Sequence, residues 1–355
     1  MDLQKIRKRI DRIDNELLGL VAERMELALR ARRFKTDVTD GDREAYVLSR
    51  ARTYARASAS MRDEFVEKLF LSLMEESRAL QDVGNRLIGF QGEHGAFSEA
   101  AAKKYDPASV PIPCPQFTDV FDGVESGALD SGIVPVENSL AGPVVQVGQL
   151  LAETPLKIAG ALKFQVNHCL MKLPETDHRD IRKIYSHPQA LAQCKGFLTR
   201  HQIEGIPYYD TAGAARMLAV ERPAMSAVIA AASCADYYGL EILKENVQDV
   251  ATNITRFLVL SKEGRTEGAD ICSTVFSVPH KAGALFGVLK IFADQGINLT
   301  RIESFMRRDG KGSYSFFLDF QCDDILRVSP EILKTLERQT TLFKNLGFYR
   351  ESGPD

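Results

Sequence analysis

The chain has 14 prolines, yet none falls in its first 84 residues; all lie from Pro107 onward. The same segment holds 17 Lys and Arg and 16 Asp and Glu, so 33 of its 84 residues are charged. A proline-free stretch rich in Arg, Glu and Leu has few ways to fold other than into long helices. Ile6, Ile10, Ile13, Leu17, Leu20, Leu27 and Phe34 recur at spacings of three, four or seven. That period predicts one helix from about residue 3 to 35 with a single apolar stripe. At roughly 1.5 Å per residue the helix is about 50 Å long, too long for the core of one compact domain. Its stripe therefore calls for a partner chain. Two shorter helical patterns follow, over 42–57 and 61–82.

Beyond residue 84 the pattern changes. The remaining 271 residues carry 28 Lys and Arg and 32 Asp and Glu, and short apolar runs alternate with Gly/Pro turns and helical stretches. This reads as α/β. A polar, glycine-bearing segment at 262–268 precedes a βαββαβ pattern: strand 274–278, helix 282–294, strand 297–306, a turn at Asp309-Gly-Lys-Gly312, strand 313–320, helix 329–340 and strand 342–349. That order is a ferredoxin-like split βαβ. The expected domains are 1–84, 86–262 and 270–355. No apolar run reaches about 18 residues, so no membrane span is expected. A net charge of −3 gives no basic field for nucleic acid. Six scattered cysteines without C-x-x-C read as reduced thiols of a cytoplasmic protein. Six histidines that never fall at ligand spacing on one helix argue against a metal site.

In the helical segment, Arg24 sits on the apolar stripe, where a guanidinium needs a partner or a ligand. Lys35 follows eleven residues later, only about 20° around the helix and roughly 16 Å along it, so the two side chains can enclose a small anion. Arg7 precedes Arg24 by seventeen residues, about 25 Å, and cannot share one small ligand with it on a single helix. Ser77 and Gln81 form an i,i+4 pair on the third helix. Asp40, Arg43 and Glu44 lie in the connection. Taken singly, each of these is more often a solvated ion-pair partner.

Together, Ile6-Arg-x-x-Ile10, Leu17-Leu-x-Leu-x-Ala-Glu-Arg-x-Glu-Leu-Ala28, Lys35, Asp42-Arg-Glu44 and Glu76-Ser-x-x-x-Gln81 resemble the all-helical chorismate mutases. The resemblance implies that Arg24, with Arg7 of a partner chain, holds two substrate carboxylates. It gives Lys35 and Gln81 to the ether oxygen, and Asp40, Arg43, Glu44 and Ser77 to the rest of the pocket. A Claisen rearrangement suits these residue types. Negative charge grows on the ether oxygen, so preorganised donors and a held diaxial conformer suffice without a cofactor.

The central region carries four motifs: Ile88-Gly-Phe-Gln-Gly-Glu-His-Gly-Ala-Phe-Ser-Glu99, Ile133-Val-Pro-Val-Glu-Asn-Ser-Leu-Ala-Gly142, Tyr185-Ser-His-Pro-Gln-Ala-Leu-Ala-Gln-Cys194 and Asn253-Ile-Thr-Arg-Phe257. Each places polar residues where a strand meets a turn, which is where open α/β sheets bind ligands. Individually, Ser98 and Ser186 read as helix caps, His187 as a structural histidine and Arg256 as an ion-pair partner. As a set, with His168-Cys-Leu170 and Gly239-Leu240…Asp249, they are similar to the prephenate dehydratases. Nearly the whole chain resembles the bifunctional chorismate mutase–prephenate dehydratases. The implied fold is multidomain α and α/β: an N-terminal all-helical dimerising domain, a two-lobed α/β domain like periplasmic binding proteins, and a C-terminal ferredoxin-like ACT domain. The implied assembly is a homodimer or dimer of dimers. The implied roles are Thr255 as hydrogen-bond or proton donor to the departing hydroxyl, and Glu137, Asn138, Ser139 and Gln189 as substrate-orienting groups. Ser98, Ser186 and Arg256 fall near the carboxylates.

The resemblance also implies phenylalanine as effector, bound by Gly283-Ala284-Leu285 and Glu303-Ser304. The sequence departs from that pattern at His280-Lys281 and at Phe305-Met306. A second departure, Gln91-Gly-Glu-His-Gly-Ala96 with Thr211-Ala-Gly-Ala-Ala215, looks more like arogenate dehydratases. A rival of another class is an amino-acid sensor, a two-lobed binder on a helical dimerisation stalk. A stalk would keep an uninterrupted apolar seam, which Arg24 breaks.

Overall fold

The computed structural model describes residues 3–306, 314–321 and 330–353. The turn expected at 309–312 lies outside them. The chain forms two compact units, Met1–Leu87 and Ile88–Asp355. Among the described residues, no helix is long and apolar enough to cross a membrane.

The first unit is three helices: α1 (Leu3–Arg32), α2 (Gly41–Ala57) and α3 (Asp63–Asp82). Asp40 caps α2, its Oδ1 accepting the Arg43 N–H at 3.0 Å. The first helix stops at Arg32 rather than 35. Three tight turns then carry the chain through Lys35, where Arg33, Phe34 and Lys35 N–H groups reach back three residues. Ala51, Ala55 and Val66 make a small core between α2 and α3. Within this unit the stripe of α1 is uncovered: Ile10 and Leu17 are each 50% exposed, and Ile13 and Leu20 more so.

The second unit begins with β1 (Leu87–Gln91), α4 (Phe97–Tyr105), β2 (Val110–Cys114), α5 (Phe117–Ser126), β3 (Ser131–Asn138), β4 (Gly142–Pro143), α6 (Val145–Glu153) and β5 (Lys157–Gln165). The chain crosses to a second sheet through β6 (Cys169–Lys172), β7 (Lys183–Ser186), α7 (Pro188–Gln193), α8 (Lys195–His201), β8 (Glu204–Pro207), α9 (Thr211–Glu221), β9 (Ser226–Ala230), α10 (Ser233–Tyr238) and β10 (Glu241–Lys244). It returns as β11 (Ile254–Ser261). The first sheet runs β5-β11-β3-β1-β2, with the C-terminal strand β16 (Glu351–Ser352) beside β5, and the second β10-β6-β9-β7-β8, so two crossings join two α/β lobes. Central strands read as unbroken apolar runs because both of their faces are covered: Ser226–Ala230 and Phe257–Leu260 are buried throughout.

The last part is β12 (Ile271–Ser277), α11 (Ala284–Asp294), β13 (Leu299–Met306), β14 (Tyr314–Gln321), α12 (Pro330–Gln339), β15 (Leu342–Tyr349) and β16 (Glu351–Ser352). Its sheet order β13-β14-β12-β15 is the ferredoxin-like one. Cys272, Phe276, Leu318 and Phe320 face the two helices. The other face, with Ser273, Phe317 and Asp319, turns toward the first lobe. β16 leaves this sheet and pairs in parallel with β5 of that lobe.

Candidate active sites

Seven of the eight candidate residues of the helical unit line one cavity of about 530 Å³: Arg24, Lys35, Asp40, Arg43, Glu44, Ser77 and Gln81. Arg7 does not, as its distance along α1 requires. Arg24 Nη1 donates to Ser77 Oγ at 2.6 Å and to Leu73 O at 3.0 Å, so α3 fixes the guanidinium over the cavity. Gln81 Nε2 donates to Ala28 O at 2.8 Å, while its Oε1 is buried without a partner. An amide carries two N–H donors, so one remains for a ligand. Glu44 accepts from Arg78 Nη1 with both oxygens, at 2.8 and 2.9 Å. Arg43 and Arg50 both lie near the Tyr46 ring. The cavity is therefore strongly cationic, with one carboxylate held in place by an arginine that the sequence reading missed. Arg78 is the next residue after Ser77, and only the fold shows that it reaches α2.

In the two-lobed domain a directed hydrogen-bond chain runs between the lobes. The Asn138 amide is oriented by its Oδ1, which accepts the N–H groups of Leu140 and Ala141 at 3.1 and 3.0 Å. Its Nδ2 therefore donates, to Thr255 Oγ1 at 2.9 Å and to Asn253 Oδ1 at 2.7 Å. Asn253 Nδ2 then donates to Gln193 Oε1 at 3.1 Å. The same oxygen lies 2.8 Å from His168 Nε2, which must carry the proton. Burial pushes the His168 pKa down against that hydrogen bond, so the ring is neutral. Because Thr255 Oγ1 accepts from Asn138, its own proton is directed elsewhere. Ser139 Oγ accepts the Ile254 N–H at 3.0 Å and pins the end of β3 to β11.

Several expectations need correction. Strand alternation puts Asn138 and Thr255 on the cleft face, and Glu137 and Arg256 on the opposite face. Glu137 lies 3.4 Å from Arg301 of β13. Arg256 is buried against Asp319, Tyr349 and Glu351, each of its three nitrogens donating to one of them on the face away from the cleft. Ser186 is not a cap; its hydroxyl is fully buried and donates to Ile229 O at 2.5 Å. His187 caps α7 instead, its Nδ1 accepting the Gln189 N–H at 3.2 Å. Ser98 is not a cap either, since α4 is capped at Ala96. Gln189 is exposed, and it is Gln193, one turn further along, that enters the polar chain. Gln193, Asn253 and His168 all stood within the quoted motifs, but no spacing singled them out.

The loop after β1 binds the lobes together. Gly95 has φ +84°, and a Cβ there would lie 2.8 Å from Cys234 Sγ of the second lobe, so only glycine fits. Glu99 is 2% exposed and accepts from Gly95 N at 2.6 Å and from the Tyr237 hydroxyl at 2.6 Å, with Lys103 at 2.9 Å. Burial alone pushes this carboxyl up, but the hydrogen bonds from His94, Tyr237, Lys103 and Gly95 outweigh it and hold its pKa at about 2. The folded value lies below the unfolded one, so ionised Glu99 stabilises the closed lobes above about pH 4.5, and that contribution is lost as pH falls toward about 2. Melting temperatures of wild type and Glu99→Gln are expected to differ at pH 7 and to converge in acid. A gap independent of pH would remove Glu99 from this role.

In the ferredoxin-like part, Gly283 has φ +82° and opens α11. Glu303 pairs with Arg301, which also donates to Val136 O at 3.1 Å. Of the effector candidates, Glu303 and Ser304 therefore lie on the strand that touches β3, while Gly283, Ala284 and Leu285 open α11.

A helical unit around a cationic cavity, followed in one chain by a two-lobed α/β domain and a small regulatory-type sheet, defines a multidomain enzyme of small anionic substrates. Comparison with known families agrees part by part: residues 6–82 match chorismate mutase type II, 88–265 prephenate dehydratase and 273–338 the ACT domain. The bifunctional chorismate mutase/prephenate dehydratase of Pseudomonas aeruginosa is 34% identical over 98% of this chain and 97% of its own length. Arogenate dehydratase/prephenate dehydratase 2 of Arabidopsis thaliana is 37% identical over 75% of this chain and 73% of its own. The crystal structure of an Arthrobacter aurescens prephenate dehydratase in complex with L-Phe superposes with a TM-score of 0.68 at 31% identity, covering 74% of this chain and 89% of that one. The chain belongs to the bifunctional chorismate mutase/prephenate dehydratase family. It carries a mutase domain, a dehydratase domain and an ACT domain in that order.

Proposed function

We propose that the chain isomerises chorismate to prephenate in the helical cavity and converts prephenate to phenylpyruvate in the interlobe cleft. The observation that carries this reading is the coexistence of the two sites in one family-matched chain. In the first reaction the ether C–O bond breaks as a C–C bond forms and no atom is lost. Arg24 holds one carboxylate, Lys35 and Gln81 donate to the ether oxygen, and Glu44, held by Arg78, accepts the ring hydroxyl. Asp40, Arg43 and Ser77 support these groups. Arg7 of a second chain supplies the other carboxylate contact, and the uncovered α1 stripe supports a homodimer built around that exchange. In the second reaction the ring carboxylate leaves as carbon dioxide and the hydroxyl, protonated, as water. Aromatisation drives the step, so orientation and one donor do most of the work. Thr255 is that donor, oriented by Asn138. Gln193 keeps an amide N–H₂ for substrate because its oxygen is occupied by His168 and Asn253.

The test is to supply the full-length enzyme with chorismate and follow both its consumption and the appearance of phenylpyruvate. Consumption without phenylpyruvate would refute the second half. A second reading, arogenate as dehydratase substrate, is favoured by the 37% identity to the Arabidopsis enzyme. Arogenate fed alone would then yield phenylalanine faster than prephenate yields phenylpyruvate.

Phenylalanine is the proposed effector, through Gly283, Ala284, Leu285, Glu303 and Ser304 of the ACT domain. Calorimetric titration is expected to show binding and the dehydratase to be inhibited, with tyrosine weaker. Inhibition requires phenylalanine to prefer one conformation of the enzyme. Absence of heat and of inhibition at millimolar phenylalanine would make the ACT domain purely structural here. The buried free thiols Cys114, Cys169, Cys194, Cys234 and Cys272 support a cytoplasmic setting.

A further inference from the structure

Two connections carry the chain between the lobes, 166–168 from β5 to β6 and 245–253 from β10 to β11. His168 is the last residue of the first and Asn253 the last residue of the second, and both are buried. Backbone hydrogen bonds tie the connections to each other: Val166 N–H donates to Asn253 O at 2.7 Å, and Val247 N–H to His168 O at 3.0 Å. The two side chains meet on one atom, Gln193 Oε1, which takes Asn253 Nδ2 at 3.1 Å and His168 Nε2 at 2.8 Å.

A primary amide has an acceptor on one side and donors on the other, so its neighbours decide which side a ligand meets. Along this chain each choice forces the next. Two backbone N–H groups hold Asn138 Oδ1, so Asn138 offers Nδ2 to Asn253. Asn253 answers with Oδ1 and is left presenting Nδ2 to Gln193. Gln193 answers with Oε1, and its N–H₂ is the end left over. His168 closes the chain from the other side. Its Nδ1 is buried without a partner, so a proton there would have no acceptor, and the one ring proton stays on Nε2.

We propose that Asn253 is a positioning residue for the dehydratase, with His168 as a second hold. The two interlobe connections set the polarity of the Gln193 amide, so that it presents N–H donors rather than its carbonyl oxygen to an anionic substrate. This rests on the reading of Gln193 as a substrate-binding group. Turned the other way, the amide would set an oxygen against the substrate's carboxylates. The same Asn138 amide orients Thr255, so one anchored side chain governs a donor on each lobe.

The discriminating variant in the full-length enzyme is Asn253→Asp, which replaces only the Nδ2 donor and keeps the oxygen that Asn138 binds. While the introduced carboxyl is protonated, its O–H stands in for Nδ2, since its other oxygen is taken by Asn138. Once ionised it only accepts, and Gln193 turns its N–H₂ inward to meet it. Burial raises a carboxyl from about 4 by about 3–5 units, which places the change near neutral pH. The measured quantity is dehydratase kcat/KM for prephenate, as the ratio of variant to wild type. It is expected to be highest in acid and to fall about 10²-fold as pH rises through that pKa, the cost of one lost donor. His168, bonded to Gln193, and Asp249, bonded to the Gly196 N–H, are common to both proteins and cancel in the ratio. Gln193→Leu should show the same loss at every pH, and adding Asn253→Asp to it should cost nothing more. His168→Phe keeps a ring beside Phe97 and deletes the second hold. It should lower kcat/KM several-fold, and it carries the test if Asn253→Asp does not fold. A ratio near one for Asn253→Asp at alkaline pH would overturn the proposal. So would a depression that does not ease in acid, losses that multiply in the double variant, or wild-type activity in His168→Phe. Failure of the Gln193 reading is separable: it shows as full activity in Gln193→Leu and takes the proposal with it, whereas a loss there leaves the reading standing and Asn253→Asp decides.

Discussion

Thr255→Val is expected to lower dehydration of prephenate by about 10²–10⁴-fold, the usual contribution of one positioned acid or base, while chorismate rearrangement continues and prephenate accumulates. Valine keeps the shape of threonine and deletes only the hydroxyl. In the native site that hydroxyl accepts from Asn138 Nδ2 at 2.9 Å, and the Asn138 amide is itself locked by two backbone N–H groups. The threonine proton is therefore directed away from Asn138, and on the proposed role it meets the departing hydroxyl. A free threonine is a weak acid, so a hydrogen bond that strengthens as the C–O bond stretches is the chemically sound role. Time courses from chorismate, separating chorismate, prephenate and phenylpyruvate by chromatography, give both rates from one sample. Equal loss of both would indicate a folding defect. Unchanged phenylpyruvate formation would take Thr255 out of the mechanism. Asn138→Ala should reproduce most of the loss, because it frees Thr255 to turn its proton inward.

What was legible in the sequence followed from periodicity. The 3.6-residue stripe places α1, and the βαββαβ rhythm places each element of the ACT sheet within a few residues. Arg24, Ser77 and Gln81 converge because a helix converts spacing directly into direction, whereas Lys35 reaches the same cavity from the turns beyond the end of α1, and Asp40, Arg43 and Glu44 were indicated by the resemblance rather than by spacing. In the dehydratase the motifs mark the right strand ends, yet direction fails within them. Glu137-Asn138 and Thr255-Arg256 are adjacent pairs, and in a strand adjacent residues point to opposite faces. The sequence says that each pair splits; only the packing of the ACT sheet says which member meets the cleft. β16 is two residues long, carries no period and escaped notice, although Glu351 supplies a partner for Arg256. Gln189 and Gln193 share a helix face, and lobe closure alone selects the second.

The mutase should lose about 10²–10³-fold in turnover with Lys35→Ala, since one preorganised donor to the developing oxyanion is removed. Gln81→Ala should follow in the same range, as it deletes the second donor. Wild-type rates in a chorismate absorbance assay with either variant would sink the assignment. The more searching test concerns Arg7. It lies on α1 well away from the cavity that holds Arg24 and Lys35, and the apolar stripe beside it is uncovered. If a second copy lies along that stripe in the opposite direction, its Arg7 reaches this cavity and each site is built from two chains. Arg7→Ala and Lys35→Ala are then both inactive as pure proteins. In a mixed dimer one site carries both lesions and the other carries neither. Co-refolding the two variants in equal amounts would yield about half mixed dimers, each with one intact site, so roughly a quarter of wild-type mutase activity should return, on the two-fold symmetric dimer this argument assumes. Subunit exchange is verified separately with differently tagged chains. Recovery near that level would require Arg7 to act across the interface, and no recovery in demonstrated mixed dimers would confine the mutase site to a single chain.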